Sequence, residues 1–437
     1  MASPIIGVLG FIILVVLIML GVRLAIALLL AGIIGIIMII GLQPALDLLG
    51  SGMYVSSSVY IFTCLPLFLL MGIIASVGGF AETAYEALRN WLWRLPGSLA
   101  ICTCFGSAIF GALTGSSTAT VAIFGKISYP LMVKYGYQKG LSLGSIAAAG
   151  TFSTMIPPTG LLIIYGIFTE QSIGQLFMAG IVPGMCTALV YSLSIIVRVW
   201  RNPKLAPIKE ESTLSFRDKG VLTLRMWPTI VVVTIVLGGI YMGVFTVTEA
   251  AAAGALVAFL LACQQRGFKA IRIGSILMET AKMTAMILLI VVGALIFTRF
   301  VALSQLAVVF SEFLQETGMP KVAVFALIAL MYFFLGMFIN ALGMITITIP
   351  VIFPLIVSMG YDPIWFAIVV VKLCEIGYVT PPVGINVYIL KGIVGSDATL
   401  AECFAGIWPF VICDFAVLAL LFLFPQIALF LPGAMYG

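Results

Sequence analysis

The sequence predicts an all-α polytopic membrane protein, an inverted-topology repeat with two re-entrant hairpins and two helices broken at Pro-Pro pairs. Three observations predict it. The 437 residues are 63% hydrophobic and 8% charged, with a mean hydropathy of +1.26, and apolar runs of bilayer-spanning length recur throughout. Two of those runs are interrupted by related motifs, "STMIPPTG" (Ser153 to Gly160) and "GYVTPPVG" (Gly377 to Gly384). A shift of 224 residues, from 157 to 381, lays Pro157, Pro158 and Gly160 on Pro381, Pro382 and Gly384. The same shift lays Pro130, Leu131, Val133, Gly136 and Tyr137 on Pro354, Leu355, Val357, Gly360 and Tyr361.

The elements follow in order. Residues 4–22 and 24–42 are spans. The first has no basic leader and a second run follows at once, so it reads as a retained helix and not a cleaved signal. After a span at 59–78, "ETAYEALRNWLWRLP" (Glu82 to Pro96) mixes charge with Trp91 and Trp93 and reads as an amphipathic helix at the cytoplasmic interface. An apolar pair, 98–114 and 116–130, precedes spans 141–168 and 175–199. Residues 200–226 form the one long polar loop. Spans 227–243, 248–264 and 276–301, a second pair at 321–338 and 342–358, and spans 362–392 and 404–430 complete the chain. The expected organisation is N-terminal scaffold helices and arm (1–97), first repeat core (98–199), cytoplasmic loop (200–226), second scaffold helices (227–320) and second repeat core (321–437).

Charge sets orientation. Arg23, Arg89, Arg94, Lys126, Lys134, Lys139, the cluster from Arg198 to Arg225, Arg266, Lys269, Arg272 and Lys391 fall on one side. Opposite loops hold Lys321 with Asp47, Glu170, Glu312, Glu316 and Asp362. The basic side is therefore cytoplasmic and the N-terminus periplasmic. Lys134 and Lys139 lie inside but the shifted Asp362 lies outside, as an inverted repeat requires. The net charge of +5 is a membrane signal of this kind and does not imply nucleic acid. No histidine is present, and the eight cysteines lack zinc-ligand spacing (Cys102 and Cys104 are one residue apart), so they read as small apolar fillers.

A broken helix in lipid leaves backbone groups unpaired, which is tolerated only inside protein or beside a wet cavity. Two breaks at matched positions are what an inverted-repeat transporter uses for its site. Freed carbonyls coordinate a cation, and the N-terminus of the following half-helix attracts an anion. Each apolar pair has an uncharged polar tip, "LTGSSTAT" (Leu113 to Thr120) and "FINALGMITIT" (Phe338 to Thr348). The legs of the first pair, 98–114 and 116–130, have 15–17 residues and are about 25 Å long against a hydrocarbon core of about 30 Å, so half-crossings fit easily. Neutral oxygens suit a weakly held hard monovalent cation such as sodium. The first-site candidates are Thr114, Gly115, Ser116, Ser117, Thr118, Thr154, Pro157 and Thr159; the second-site candidates are Asn340, Gly343, Thr346, Gly377, Thr380 and Pro381. Candidates for substrate contact are Ser116, Ser153, Pro158, Asn340 and Pro382. The competing reading of each hydroxyl is a bond back to its own helix.

Other ionisable groups have structural readings. Thr246 and Glu249 have the form of a capping box. Glu375 is an intramembrane acid whose partner is Lys372 or whose role is functional. Arg299 is expected to snorkel to the outer interface, the alternative being attraction of an anionic substrate. An enzyme reading would rest on Glu375 or Ser117, but no base lies near either and no catalytic residue or cofactor is assigned. A channel is disfavoured by the matched breaks.

The stretches "GALTGSSTATVAIFG", "AAAGTFSTMIPPTGLLIIYG", "GVFTVTEAAAAGAL" and "EIGYVTPPVGINVYILKG" resemble the large, DctM-like membrane subunit of tripartite ATP-independent periplasmic (TRAP) transporters, over essentially the whole chain. The resemblance implies an elevator-type, ion-transporter-superfamily-like fold. It also implies sodium-driven uptake of an organic acid, such as a C4-dicarboxylate, sialic acid or another sugar acid, across the bacterial inner membrane. The implied partners are a small four-helix membrane subunit, expected as a separate chain because this one starts directly at the large subunit, and a periplasmic substrate-binding protein. The alternative is a stand-alone symporter of the same fold.

Overall fold

The computed structural model describes residues 2–57, 59–207 and 216–436, and every regular element among them is helical. The chain opens with α1 (Ala2–Met19), α2 (Leu24–Ile40) and α3 (Leu42–Ser57). The third was not among the expected spans: Gln43, Asp47 and Ser51 dilute its hydropathy. Arg299 Nη1 donates to Leu48 O on α3 at 3.4 Å. A 3₁₀ turn (Tyr60–Thr63) leads into α4 (Cys64–Gly78).

The amphipathic helix α5 (Phe80–Leu92) buries Phe80, Ala81, Ala84 and Tyr85 and turns its charged face outward. Two helices then pack against each other across a two-residue link, α6 (Ser98–Thr114) and α7 (Ser117–Lys134). The single span expected at 141–168 is two helices, α8 (Lys139–Phe152) and α9 (Gly160–Thr169), separated by the Pro-Pro segment. Helix α10 (Ile173–Arg201) is long enough to cross a membrane alone.

The polar segment after α10 is not loop throughout. Helix α11 (Phe216–Leu224) packs on α5, where Trp91 Nε1 donates to Thr223 Oγ1 at 2.7 Å. The next span is α12 (Trp227–Val233), a π turn (Thr234–Gly238) and α13 (Gly239–Tyr241), bent 44° from the end of α11. Helix α14 (Val247–Arg266) begins with the capping box: Glu249 N donates to Thr246 Oγ1 at 3.3 Å and Thr246 N donates to Glu249 Oε2 at 2.8 Å. Helices α15 (Ile273–Ser304) and α16 (Leu306–Glu316) follow, then the second pair α17 (Lys321–Gly336) and α18 (Ala341–Ser358). The second broken span is α19 (Pro363–Val379) and α20 (Ile385–Val394). The last span divides into α21 (Leu400–Leu423) and α22 (Gln426–Tyr436) next to Pro425, which has no backbone donor.

The 224-residue shift that aligns the motifs also aligns the helices. It carries 117–134 (α7) onto 341–358 (α18), 24–40 onto 248–264 inside α14, 139–152 onto 363–376 inside α19 and 160–169 onto 384–393 at α20. Packing is crossed between the halves: α7 lies on α20 while α18 lies on α9, and α2 lies on α15 while α14 lies on α4. Within each half, α6 packs on α8 and α17 on α19. Helix α19 is buried along most of its length, from Trp365 to Gly377. Leu14, Leu28, Ile36, Phe297 and Phe300 form a separate apolar cluster joining α1 and α2 to α15.

By length and composition six helices of the described residues can cross a membrane, among them Ala341–Ser358 at 18 residues. One leg of the second pair is therefore longer than a half-crossing needs.

Candidate functional site

The tip of the first pair rests on the first break. Gly115 ends α6 in the left-handed region (φ +54°), and a Cβ there would stand 2.3 Å from Pro158 O. Only glycine lets the two backbones approach this closely. Ser116 is extended and caps α7, its Oγ accepting from Ala119 N at 3.4 Å and lying 3.2 Å from Thr118 Oγ1. Thr159 caps α9 by accepting from Leu161 N at 3.3 Å. Between them, Pro157 and Pro158 contribute no donors, and their peptide bond is cis, as is that of Pro381 and Pro382.

The second tip is built alike. Asn340 stands 224 positions after Ser116 and caps α18, Oδ1 accepting from Gly343 N at 2.8 Å. Tyr378, in the last turn of α19 before the second break, accepts from Ala341 N at 3.3 Å through its hydroxyl. The helix before this tip meets the break backbone to backbone: a Cβ on Gly377 would lie 2.5 Å from Gly336 Cα. Gly377→Val should therefore separate α17 from α19 and lower the amount of folded protein several-fold. Fluorescence-detected gel filtration of tagged protein measures this, and a wild-type peak would refute the contact.

A cavity of about 220 Å³ opens between the first tip and the scaffold. The tip and break line it with Thr114 to Thr118, Thr154 and Pro158, beside Leu161, Ile163 and Ile164 of α9; facing them are Leu65, Phe68 and Leu69 of α4 with Met283, Met286 and Ile287 of α15. Leu342 of α18 and Tyr378 of α19 complete the lining from the second repeat core. Pro157, Thr159 and Ser153 are not part of the lining, nor are Asn340, Gly343, Thr346, Gly377, Thr380, Pro381 and Pro382. Many hydroxyls also bond to their own backbone: Ser153 to Gly150 O (2.6 Å), Thr154 to Thr151 O (2.8 Å), Thr346 to Gly343 O (3.0 Å), Thr380 to Ile376 O (2.6 Å) and Thr114 to Phe110 O (3.2 Å). Such a bond uses the hydroxyl proton and leaves oxygen lone pairs free for a cation.

Behind the first break lies a buried charge cluster. Lys372 Nζ donates to Asp414 Oδ1 (2.6 Å), Glu375 Oε2 (3.2 Å) and Thr187 Oγ1 (3.4 Å). Tyr191 OH donates to Asp414 Oδ1 at 2.6 Å, and Thr154 Oγ1 lies 3.2 Å from Glu375 Oε1. Lys372, Glu375 and Asp414 have no exposed surface. Sequence reading offered Lys372 as a partner of Glu375 beside a functional role for the acid, and did not include Asp414 and Tyr191. An acid inside an apolar span was the available signal at Asp414; nothing local marks Tyr191. The cluster ties α10, α19 and α21 to Thr154 in the cavity wall.

This fold and this site define a class, the multi-helix membrane transporters. The Alcanivorax borkumensis YdaH transporter shares the fold with a TM-score of 0.62, 14% identity and coverage of 88% of this chain and 89% of that one. Neisseria gonorrhoeae MtrF, described among antimetabolite efflux pumps, gives 0.56 at 14% identity, covering 87% and 84%. The chain belongs to the family described as "Tripartite ATP-independent periplasmic transporter, DctM component", whose profile matches residues 11–427. It is 30% identical to the C4-dicarboxylate TRAP transporter large permease protein DctM of Pseudomonas aeruginosa, over 87% of this chain and 88% of that protein. It is 31% identical to the ectoine TRAP transporter large permease protein TeaC of Halomonas elongata (95% and 96%) and 29% identical to the sialic acid permease SiaM of Vibrio cholerae (85% and 86%). It is a transporter permease and not an enzyme.

Proposed function

We propose that this chain is the large permease subunit for sodium-coupled uptake of an organic acid anion across the bacterial inner membrane, moving its site as an elevator. The observation that carries the proposal is the cavity between a polar wall of tip and break and an apolar wall of α4 and α15. A polar site that slides against a smooth apolar wall is suited to rigid-body movement. The crossed packing of the halves supports an inverted repeat, with α6 to α10 and α17 to α21 as the moving core and α1 to α4 with α12 to α15 as the scaffold. Ser116, Ser117, Thr154 and Thr159 would hold one sodium ion, with carbonyls near Pro157; Asn340, Thr346 and Thr380 would hold another, with carbonyls near Pro381. The N-termini of α9 and α20 would attract the substrate carboxylate. The basic loops support a cytoplasmic side for themselves and so a periplasmic N-terminus.

Relatives named for C4-dicarboxylate, sialic acid and ectoine support an organic acid as the substrate class, with the acid itself left to experiment. Proteoliposomes holding this chain and its small subunit, supplied with loaded binding protein, should accumulate substrate under an inward sodium gradient. Equal uptake with potassium and a pH gradient would contradict the coupling, and full-rate uptake by this chain alone would contradict the tripartite assembly.

Helix α1 exposes Ile5, Val8, Ile12, Val15 and Met19. The small subunit is expected to cover this flank. Ile12→Asn should reduce its co-purification while leaving the large subunit in the membrane; undiminished co-purification would place the partner elsewhere.

A further inference from the structure

Asn386, in the first turn of α20, is fully buried and reaches from the second half of the chain to the first tip. Its Nδ2 donates to Ser117 Oγ at 2.6 Å and lies 3.4 Å from Ala147 O. A backbone carbonyl only accepts, so Ala147 fixes the amide nitrogen on that side. The oxygen Oδ1 is left buried with no partner. Leaving a carbonyl-type oxygen this way costs about 1–3 kcal/mol, which a cation would offset.

We propose that Asn386 Oδ1 is a further oxygen ligand of the first cation site, so that this site is assembled from both halves of the chain. The assignment rests on the sodium reading above and names a residue it did not contain. Ser117, the residue Asn386 grips, lines the cavity at the start of α7. The free N–H groups of that helix end oppose a cation, so additional oxygens are needed there. The positions related by the 224-residue shift are Leu162 and Ala341, which are apolar. The second site has no such ligand pair, and the two sites are therefore unequal in affinity.

The test uses the purified complex with its small subunit. Stabilisation by NaCl over KCl at constant ionic strength is measured as a melting shift, together with the sodium concentration for half-maximal uptake. Asn386→Leu, which copies the apolar counterpart, should raise both sodium midpoints about tenfold, the effect of losing roughly 1.4 kcal/mol. Asn386→Asp keeps the oxygen and should hold both midpoints at or below the wild-type value. If the leucine variant does not accumulate, Asn386→Ser is used with the same expectation. A leucine or serine variant with wild-type midpoints overturns the assignment. So does equal weakening of the aspartate and leucine variants, which would mark Asn386 as packing alone. A wild-type complex indifferent to sodium overturns the coupling itself, and is scored before any variant.

Discussion

Lys372→Met should nearly abolish folded protein. The substitution leaves Glu375 and Asp414 buried in a bundle that excludes water, with the ammonium that both accept from removed. Breaking a buried pair on one side costs about 3–5 kcal/mol, against a total stability of about 5–15 kcal/mol for a folded protein. Both acids are fully buried, Glu375 on α19 among α8, α10, α17 and α21, and Asp414 on α21 against α8, α10 and α19. Removing the charges together should behave differently. Lys372→Met combined with Glu375→Gln and Asp414→Asn leaves no unpaired ion and should recover much of the lost protein. Membrane abundance and gel-filtration profile measure both variants. A single Lys372→Met variant as abundant as wild type would show that the cluster is not a closed ionic unit.

Ser117→Ala should raise the sodium concentration for half-maximal uptake by about tenfold, through loss of one oxygen ligand and of the acceptor for Asn386. Maximal uptake at saturating sodium and substrate capture by the binding protein should change little. Asn340→Ala should shift sodium dependence in the same direction, with an added stability loss of about 0.5–2 kcal/mol because Asn340 caps α18. Unchanged sodium dependence in both variants would show that the ions sit elsewhere.

Most helices and both breaks were legible in the sequence because proline chemistry is local. A missing donor and a clash with the preceding turn act wherever Pro157-Pro158 or Pro381-Pro382 falls. The polar tips were legible for the same reason: Ser116 and Asn340 act on amides three residues ahead. What failed was either hidden by composition or made by tertiary packing. Helix α3 carries enough polar residues to fall outside the spans that hydropathy marks, and the bond of Arg299 to Leu48 on α3 joins positions 251 apart. Asp414 and Tyr191 meet Lys372 across 42 and 181 positions of sequence, and Asn386 meets Ser117 across 269. No periodicity or short motif encodes those distances.

Movement of the first tip along the scaffold is the claim on which the rest depends. Ser116 and Met286 face the same cavity in this structure, one on the tip and one on α15. With cysteines at these two positions in an otherwise cysteine-free chain, cross-linking in reconstituted complex should be efficient in one locked state and lost in the opposite one, while a control pair within the scaffold, on α4 and α14, stays constant. A Ser116–Met286 cross-link formed with equal efficiency in inward- and outward-locked protein would contradict the elevator.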